Sequence, residues 1–346
     1  MRTEANCFEV GRADLNLTRV TGAGLGPPQP GEALFEVERF GFSANNVTYA
    51  LLGEALRYWD LFPAAPGWGR IPVWGYLRVL ASAVPGLAAG QRAFGLCPMA
   101  THVLLRPQRV GQATFTEGSP HRAGLSSVYN VYAWARPGPQ EHDDALVVLR
   151  PVFWLSFTLD DYLARRGGGP DTPVIVTSAS SKAALGLAYL LNRRGVPVTG
   201  FTSARHLPFV AGLDAYDQVL SYDQAGALPA GPAVLVDIAG DAALRDAIGR
   251  RLGPPGEVVI AGGTHGEAEA LAAGAFFAPR HIRDRAREWG WPVLERRYQA
   301  ALEGFAASAG PWLEIRRHRG LDGAARVYRE VLTGASSPAA AHLVEL

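Results

Sequence analysis

The feature that most restricts the fold is an alternation of short apolar segments with helix-length segments, which begins at Pro173. The run VIVT is followed by the small polar loop SASSK and then by AALGLAYLLNRRG, whose apolar residues recur with helical spacing up to Gly195. Further apolar runs follow at helix-length intervals: VPVTGF, DQVLSYD, AVLVDIAG and EVVIAGG. Strands that alternate with helices in this way predict a doubly wound parallel sheet.

The first part of the chain has a different pattern. Apolar and polar residues alternate near Ala33 to Val37, and the turn-rich segments FPAAPGWGRIPVWG and VPGLAAGQRAFG follow, which is typical of short strands. A length of 346 residues also exceeds what one hydrophobic core usually serves. We therefore expect an α/β protein of two domains: a β-rich domain of residues 1–135, completed by residues 311–346, and a parallel-sheet domain of residues 136–310.

The composition argues against several kinds of partner. With 48% hydrophobic residues, 19% charged residues and a formal net charge of +1, the chain has no single-signed field that would attract nucleic acid. No run approaches the roughly 20 apolar residues of a membrane span. Charges interrupt the N-terminal segment MRTEANCFEVGRADLNL, so we expect no signal peptide and a cytoplasmic location. Only Cys7 and Cys97 occur, which indicates buried free thiols rather than a disulfide framework or a structural zinc site.

The first strand-to-helix turn of the parallel sheet is the candidate nucleotide site. A dinucleotide binds there because backbone N–H groups and the helix N-terminus face its pyrophosphate. The turn runs from Ser178 to Gly186 and lacks the glycines of the G-x-G-x-x-G pattern. It offers instead the hydroxyls of Ser178, Ser180 and Ser181.

The same turn contains Lys182, the only lysine among 33 basic residues. A cation at the positive end of a helix is mildly unfavourable unless an anion is also bound there. Lys182 therefore predicts a phosphate site, and the alternative is a solvated surface lysine.

The end of the second strand indicates which dinucleotide binds. An NAD-specific strand usually ends in a carboxylate that bonds the ribose hydroxyls. Here the strand ends in Thr202, Ser203 and Arg205, and no carboxylate follows before Asp214. Two hydroxyls and a guanidinium are suited to bind a 2′-phosphate, so this segment favours NADP(H). The alternative is that it forms a polar surface loop with no role in binding. Tyr222, after the next strand, is a further candidate for the phosphate edge.

A glycine-rich segment follows the last strand of the sheet, where the nicotinamide is expected because ligands bind beyond strand carboxyl ends. The candidates are Gly262, Gly263 and Thr264, whereas neighbouring His265 is interpreted as a loop residue.

This order of elements resembles the medium-chain dehydrogenase/reductase superfamily, specifically its zinc-independent quinone and enoyl reductase branch. The superfamily's G-A-A-G-G-V-G loop is matched by SASSKAA at residues 178–184, in which the glycines are gone. GEALFEVERFGFSANNVTYA is similar to its early strand, and GLDGAARVYREVLTG with AAHLVEL to its terminal helix and strand. The resemblance implies a GroES-like catalytic domain, a Rossmann domain that binds NADP(H), a small-molecule substrate and a homodimer.

Several longer strings resemble the bacterial family DUF2855 within this branch: SANNVTYA, RYWDLFPA, WGRIPVWGY, HRAGLSSVYNVY and SASSKAALGLA. Zinc alcohol dehydrogenases share the layout but carry a G-H-E stretch, where this chain has Trp74, Gly75 and Tyr76. We therefore expect no bound metal.

Without zinc, the oxygen of an acceptor must be polarised by side-chain donors. In the enoyl reductase branch an early tyrosine has this role, and its closest positional match is Tyr58 in GEALRYW, with Tyr49 in NNVTY as the alternative. The candidate substrate-binding residues follow the early strand or lie near the expected domain boundary: Asn45, Asn46, His121, Arg122, Tyr129, Asn130 and Tyr132. Turn formation and structural hydrogen bonding are the alternatives for this group.

Together these patterns predict an NADPH-dependent oxidoreductase that transfers hydride to an activated C=C bond or a quinone-like acceptor. Two other functions remain open. The missing glycines favour a non-catalytic, redox-responsive NADPH-binding protein, and a redox-neutral dehydratase-like or lyase-like enzyme with bound cofactor is the third possibility.

Overall fold

The computed structural model describes residues 3–135, 143–252, 256–261 and 276–346. The chain forms two compact units: Met1–Val148 with Leu313–Leu346, here called the β unit, and Leu149–Trp312, here called the parallel-sheet unit. The first boundary lies within a long helix, Asp143–Arg165, rather than at residue 135. No helix in the described part of the chain is long and apolar enough to cross a membrane.

The β unit contains a three-stranded and a nine-stranded sheet. The smaller sheet has the order β2-β1-β4, with bounds β1 Thr3–Gly11, β2 Thr18–Leu25 and β4 Trp68–Gly69. The strands of the larger sheet are β3 Ala33–Phe42, β5 Pro72–Ser82, β6 Arg92–Pro98, β7 His102–Leu105, β8 Pro107–Gln108, β9 Thr114–Glu117, β10 Val131–Ala135, β16 Glu314–Arg319 and β17 Ala340–Glu345. Their order is β16-β17-β3-β5-β6-β10-β9-β8, and β7 also pairs with β3.

The C-terminal segment joins the larger sheet through β17, which pairs antiparallel with β3 in the register His342 to Phe42. Helix α1, Ala44–Leu51, begins two residues after the end of β3. Asn46 fixes the start of α1, because its Oδ1 accepts from the backbone N–H of Ser43 at 2.9 Å and its Nδ2 donates to the Pro72 carbonyl at 3.0 Å.

Short 3₁₀ helices at Tyr58–Asp60, Pro120–Arg122 and Ser127–Asn130 connect the strands of the β unit. The long helix Asp143–Arg165 is α2. The other α-helices of the described residues are α3 Lys182–Asn192, α4 Leu207–Ala211, α5 Ala242–Gly249, α6 Ala278–Trp289, α7 Trp291–Ala309 and α8 Gly320–Leu332.

The parallel-sheet unit contains the predicted doubly wound sheet. Its five strands are β11 Val174–Val176, β12 Val198–Thr202, β13 Gln218–Ser221, β14 Val234–Asp237 and β15 Glu257–Ile260. All neighbouring pairs are parallel, and the order β13-β12-β11-β14-β15 is the Rossmann order, in which the chain reverses direction across the sheet beside β11. Ile175, Phe201 and Leu235 form the centre of the core on this sheet. The predicted α/β fold, with a β-rich part and a Rossmann part, is confirmed.

Candidate functional site

The turn between β11 and α3 lacks the predicted pattern's glycines, yet one of its serines has a backbone conformation that glycine normally adopts. Ser178 has a φ of 54°, in the left-handed region that glycine normally occupies. Ser181 is the N-cap of α3, and its Oγ accepts from the backbone N–H of Ala184 at 3.2 Å. Gly186 allows α3 to pack closely, since a Cβ there would lie 2.6 Å from Ser156 Oγ. Ser178 thus supplies the left-handed residue of this turn and Ser181 the cap of its helix.

Lys182 is the first residue of α3 and is half-buried. Burial lowers its pKa to about 8 from an ordinary value of 10.5. The ammonium thus loses hydration at the positive end of a helix, where an anion would stabilise it.

Polar atoms without partners lie at the end of the neighbouring strand β12. Thr202 is fully buried, and its Oγ1 makes no hydrogen bond with any described residue. Ser180 Oγ lies 3.2 Å from His206 Nδ1, while the buried His206 Nε2 also has no partner among the described residues. Burial, and then the charge of Arg205, lower the pKa of His206. Buried polar atoms usually have partners, so these two indicate that a polar ligand or water binds here.

The other residues predicted to bind the cofactor are Ser203, Arg205, Tyr222 and the glycine-rich segment after β15. Ser203 is half-buried and Arg205 is exposed. The backbone N–H of Ser178 hydrogen-bonds the hydroxyl of Tyr222, so Tyr222 lies beside the turn. Burial still raises the pKa of Tyr222, so its hydroxyl remains a donor at neutral pH. Gly262, Gly263, Thr264 and His265 lie outside the described residues.

A buried network beside the turn was not identified from the sequence. Asp237, fully buried at the end of β14, accepts from Thr177 Oγ1 at 2.7 Å, from the Gly240 N–H at 3.0 Å and from Arg245 Nη1 at 2.8 Å. Thr177 Oγ1 in turn accepts from the N–H groups of Ile238 and Ala239. This network ties the ends of β11 and β14 together, so it positions the turn without being available to a ligand. An acidic residue that ends the apolar run AVLVD was the only sequence signal for it.

In the β unit the structure brings three predicted residues together as a tyrosine cluster: Tyr49, Tyr58 and Tyr129. The hydroxyls of Tyr58 and Tyr129 lie 2.9 Å apart and share a hydrogen bond. The ring of Tyr49 contacts Tyr58 edge-on, with centroids 4.8 Å apart, and Trp74 Nε1 donates to the Tyr49 hydroxyl at 3.3 Å. All three are buried, and burial raises each pKa. Each hydroxyl therefore remains protonated at neutral pH and can act as a donor.

The two neighbouring asparagines have different roles. The half-buried Asn45 side chain hydrogen-bonds the Tyr49 hydroxyl and so belongs to the cluster. Asn46 uses both ends of its amide to hold α1, which leaves it a structural role rather than the predicted contact with substrate.

The predicted residues of the segment 119–132 also include one beside the tyrosine cluster and others with structural roles. The half-buried Asn130 lies beside Tyr129, and its buried Oδ1 has no partner among the described residues. Tyr132 is a core residue, because its hydroxyl donates to the Leu96 carbonyl at 2.5 Å and its ring stacks on Phe115. Arg122 is buried and binds the hydroxyl of Tyr132, whereas His121 is exposed. Neither Arg122 nor Tyr132 joins the tyrosine cluster.

No group of three or more His, Cys, Asp or Glu side chains within the described ranges is arranged as a metal site. Cys7 and Cys97 are both buried and free, as predicted. Burial raises the pKa of Cys7 to about 12, which keeps its thiol protonated and unreactive.

Residues 40–337 match the family described as a protein of unknown function (DUF2855). The chain belongs to this family. No curated protein sequence matches it. The description of this family names no activity.

Solved structures show which fold this DUF2855 chain has. It is similar to CurA in complex with NADPH from Vibrio vulnificus, at 12% identity over 98% of each chain, with a TM-score of 0.61. It is also similar to the quinone oxidoreductase from Coxiella burnetii, at 12% identity over 99% of this chain and 100% of that chain, with a TM-score of 0.57. A third is the yhdH oxidoreductase from Salmonella enterica in complex with NADP, at 17% identity over 99% of each chain, with a TM-score of 0.56. The predicted resemblance to the medium-chain dehydrogenase/reductase fold is confirmed.

Proposed function

We propose that this chain is an NADPH-dependent oxidoreductase that reduces an activated C=C bond or a quinone-like acceptor without zinc. The observation that carries the proposal is Lys182, a half-buried cation with a lowered pKa at the first helix N-terminus of a Rossmann-ordered sheet. Two of the similar structures support it, since their descriptions name NADPH and NADP as bound molecules.

The residues around the first turn suit NADP(H). Lys182 and the N–H groups at the start of α3 would hold the pyrophosphate. Thr202, with its unsatisfied Oγ1, and His206, with its unsatisfied Nε2, would bind the 2′-phosphate edge together with the exposed Arg205. No carboxylate stands at the end of β12 to repel that phosphate, because β12 ends in Thr202.

Bound NADPH supplies the hydride, and the protein must polarise the acceptor and deliver a proton. The tyrosine cluster provides both functions. Tyr58 donates a hydrogen bond to the acceptor oxygen and then its proton, while the hydrogen bond from Tyr129 stabilises the phenolate that Tyr58 becomes. Asn45 and Trp74 hold the Tyr49 hydroxyl beside them. The unsatisfied Asn130 Oδ1 offers an acceptor for a polar group of the substrate.

The acceptor class follows from these donors. An enone, an enoyl thioester and a quinone each develop negative charge on a carbonyl oxygen when they accept hydride, and a neutral phenol is a suitable donor to that oxygen. The raised pKa of Tyr58 keeps this donor protonated, so metal polarisation is not needed.

Cofactor preference tests the proposal. We expect NADPH to bind more tightly than NADH in a fluorescence titration. Arg205→Ala should weaken NADPH binding by about 3- to 30-fold and leave NADH binding nearly unchanged, because solvent screens the phosphate contact of this exposed arginine and makes it weaker than a buried one. Arg193→Ala is the matched control, since Arg193 is an exposed arginine at the opposite end of α3. Equal affinity of the wild-type protein for NADH and NADPH would contradict the assignment.

A further inference from the structure

The β unit contains a cavity of about 230 Å³ that belongs to neither the tyrosine cluster nor the nucleotide turn. Strands β1, β2 and β7 supply nine of its nineteen lining residues. The wall is mainly apolar, with Ala5, Leu25, Val103 and Leu105 among its residues. Arg122 is also part of the wall.

Arg122 is only 2% exposed, yet no carboxylate among the described residues pairs with it. Its Nε donates to the Leu61 carbonyl at 3.0 Å, its Nη1 to the Tyr132 hydroxyl at 3.3 Å, and its guanidinium lies 4.4 Å from the Phe62 ring centroid. A guanidinium has five N–H donors, and Nη2 finds no acceptor among the described residues.

Arg70 and Glu117, which also line the cavity, both have hydrogen-bond partners. Arg70 forms an ion pair with Glu9 at 2.9 Å. Glu117 is buried and accepts from the backbone N–H groups of Arg106 and Ser119 at 2.7 and 2.8 Å. Of the two arginines in this wall, Arg122 is thus the one without an ion pair to a described carboxylate. Such a charge is strongly unfavourable unless an anion accompanies it.

We propose that this cavity binds a small organic monocarboxylate, with its carboxylate on Arg122 and its hydrocarbon part against the apolar wall. One guanidinium neutralises one negative charge, and a dianion such as phosphate would leave an excess charge near Glu117. The volume is below the roughly 300–1,000 Å³ of pockets for drug-sized ligands, so an acid of about four to seven carbons fits. This site is independent of NADPH binding and of the proposed reduction.

Hexanoate and its neutral isostere hexanamide, titrated calorimetrically into the full chain without NADPH, test the proposal. We expect hexanoate to bind at least about tenfold more tightly than hexanamide. Arg122→Gln should weaken hexanoate binding by a similar factor, whereas Arg106→Gln, which removes a half-exposed arginine outside the cavity lining, should not. Absence of binding at millimolar hexanoate, equal affinity for the two compounds, or unchanged affinity in folded Arg122→Gln would each overturn the proposal.

A second variant covers the case in which Arg122→Gln fails to fold. Ala5→Leu keeps the Arg122 guanidinium but places a larger side chain in the cavity, because Ala5 is 8% exposed and lines it. Loss of hexanoate affinity in Ala5→Leu supports the site, and wild-type affinity in that variant overturns it. Since NADPH is absent, neither result depends on the proposed oxidoreductase activity.

Discussion

Tyr58→Phe is expected to lower kcat for NADPH oxidation by about 100- to 10,000-fold, the usual contribution of a positioned general acid. The substitution keeps the ring and its edge-on contact with Tyr49 but removes the hydroxyl that pairs with Tyr129 at 2.9 Å. The Kd for NADPH should not change, because the residues proposed to bind the cofactor lie in the parallel-sheet unit. Steady-state kinetics with an enone acceptor and a parallel NADPH titration give both numbers.

Two variants sharpen this prediction. Tyr129→Phe leaves Tyr58 without its partner and should reduce kcat less than Tyr58→Phe, because the donor itself remains. Tyr189→Phe is the control, since Tyr189 lies on α3 and its hydroxyl contacts Arg193 near the surface. Wild-type kcat in a folded Tyr58→Phe protein would remove Tyr58 as the acid and make Tyr49 the next residue to test.

Lys182→Met is expected to weaken NADPH binding by about 10- to 100-fold, which corresponds to loss of a charged hydrogen bond of about 1.5–3 kcal/mol. The unliganded variant should be at least as stable as the wild type, with a Tm that is not lower. The reason is that burial lowers the pKa of Lys182 to about 8, so the folded protein carries an unfavourable charge that methionine lacks. Thermal unfolding with and without NADPH measures both effects.

The pH dependence of Lys182 gives an independent test. Its folded pKa of about 8 lies below the ordinary 10.5, so between these values the unfolded chain binds more protons and the wild-type protein gains stability as pH rises. NADPH should raise this pKa, because its phosphates favour the charged form. The wild-type affinity for NADPH should therefore fall as pH rises above about 8. The affinity of Lys182→Met for NADPH should not change with pH in the same range. An equal pH slope in both proteins would show that Lys182 does not contact the phosphates.

The Rossmann part of the fold could be predicted because its buried strands are short apolar runs, each followed by a polar turn. VIVT and AVLVD become β11 and β14, and the Lys182 helix begins one residue after its serine cap. The sequence predicted Tyr49, Tyr58 and Tyr129 as separate candidates. Nothing in their spacing indicated that their rings are in contact.

The parts that could not be predicted depend on contacts between distant residues. His206 reaches the turn between β11 and α3 through Ser180, and Asp237 accepts a hydrogen bond from Thr177 on the neighbouring strand end. No local periodicity encodes either contact. Asn46 and Tyr132 looked like ligand donors because polar and aromatic residues near turns often are, but tertiary hydrogen bonds to Pro72 and Leu96 use their polar atoms. Arg122 was predicted to contact a ligand near the domain boundary, whereas its guanidinium lies on a cavity wall within the β unit.

Transfer of deuterium from NADPH labelled at C4 of the nicotinamide to a short enone is the decisive experiment for an NADPH-dependent reductase. We expect the label at the carbon β to the carbonyl of the reduced product, at a rate that falls strongly in Tyr58→Phe. Tight binding of labelled NADPH with no transfer to an enone or an enoyl thioester, and no oxidation by a quinone, would contradict the proposed reaction. That result would favour a protein that binds NADPH without turning it over.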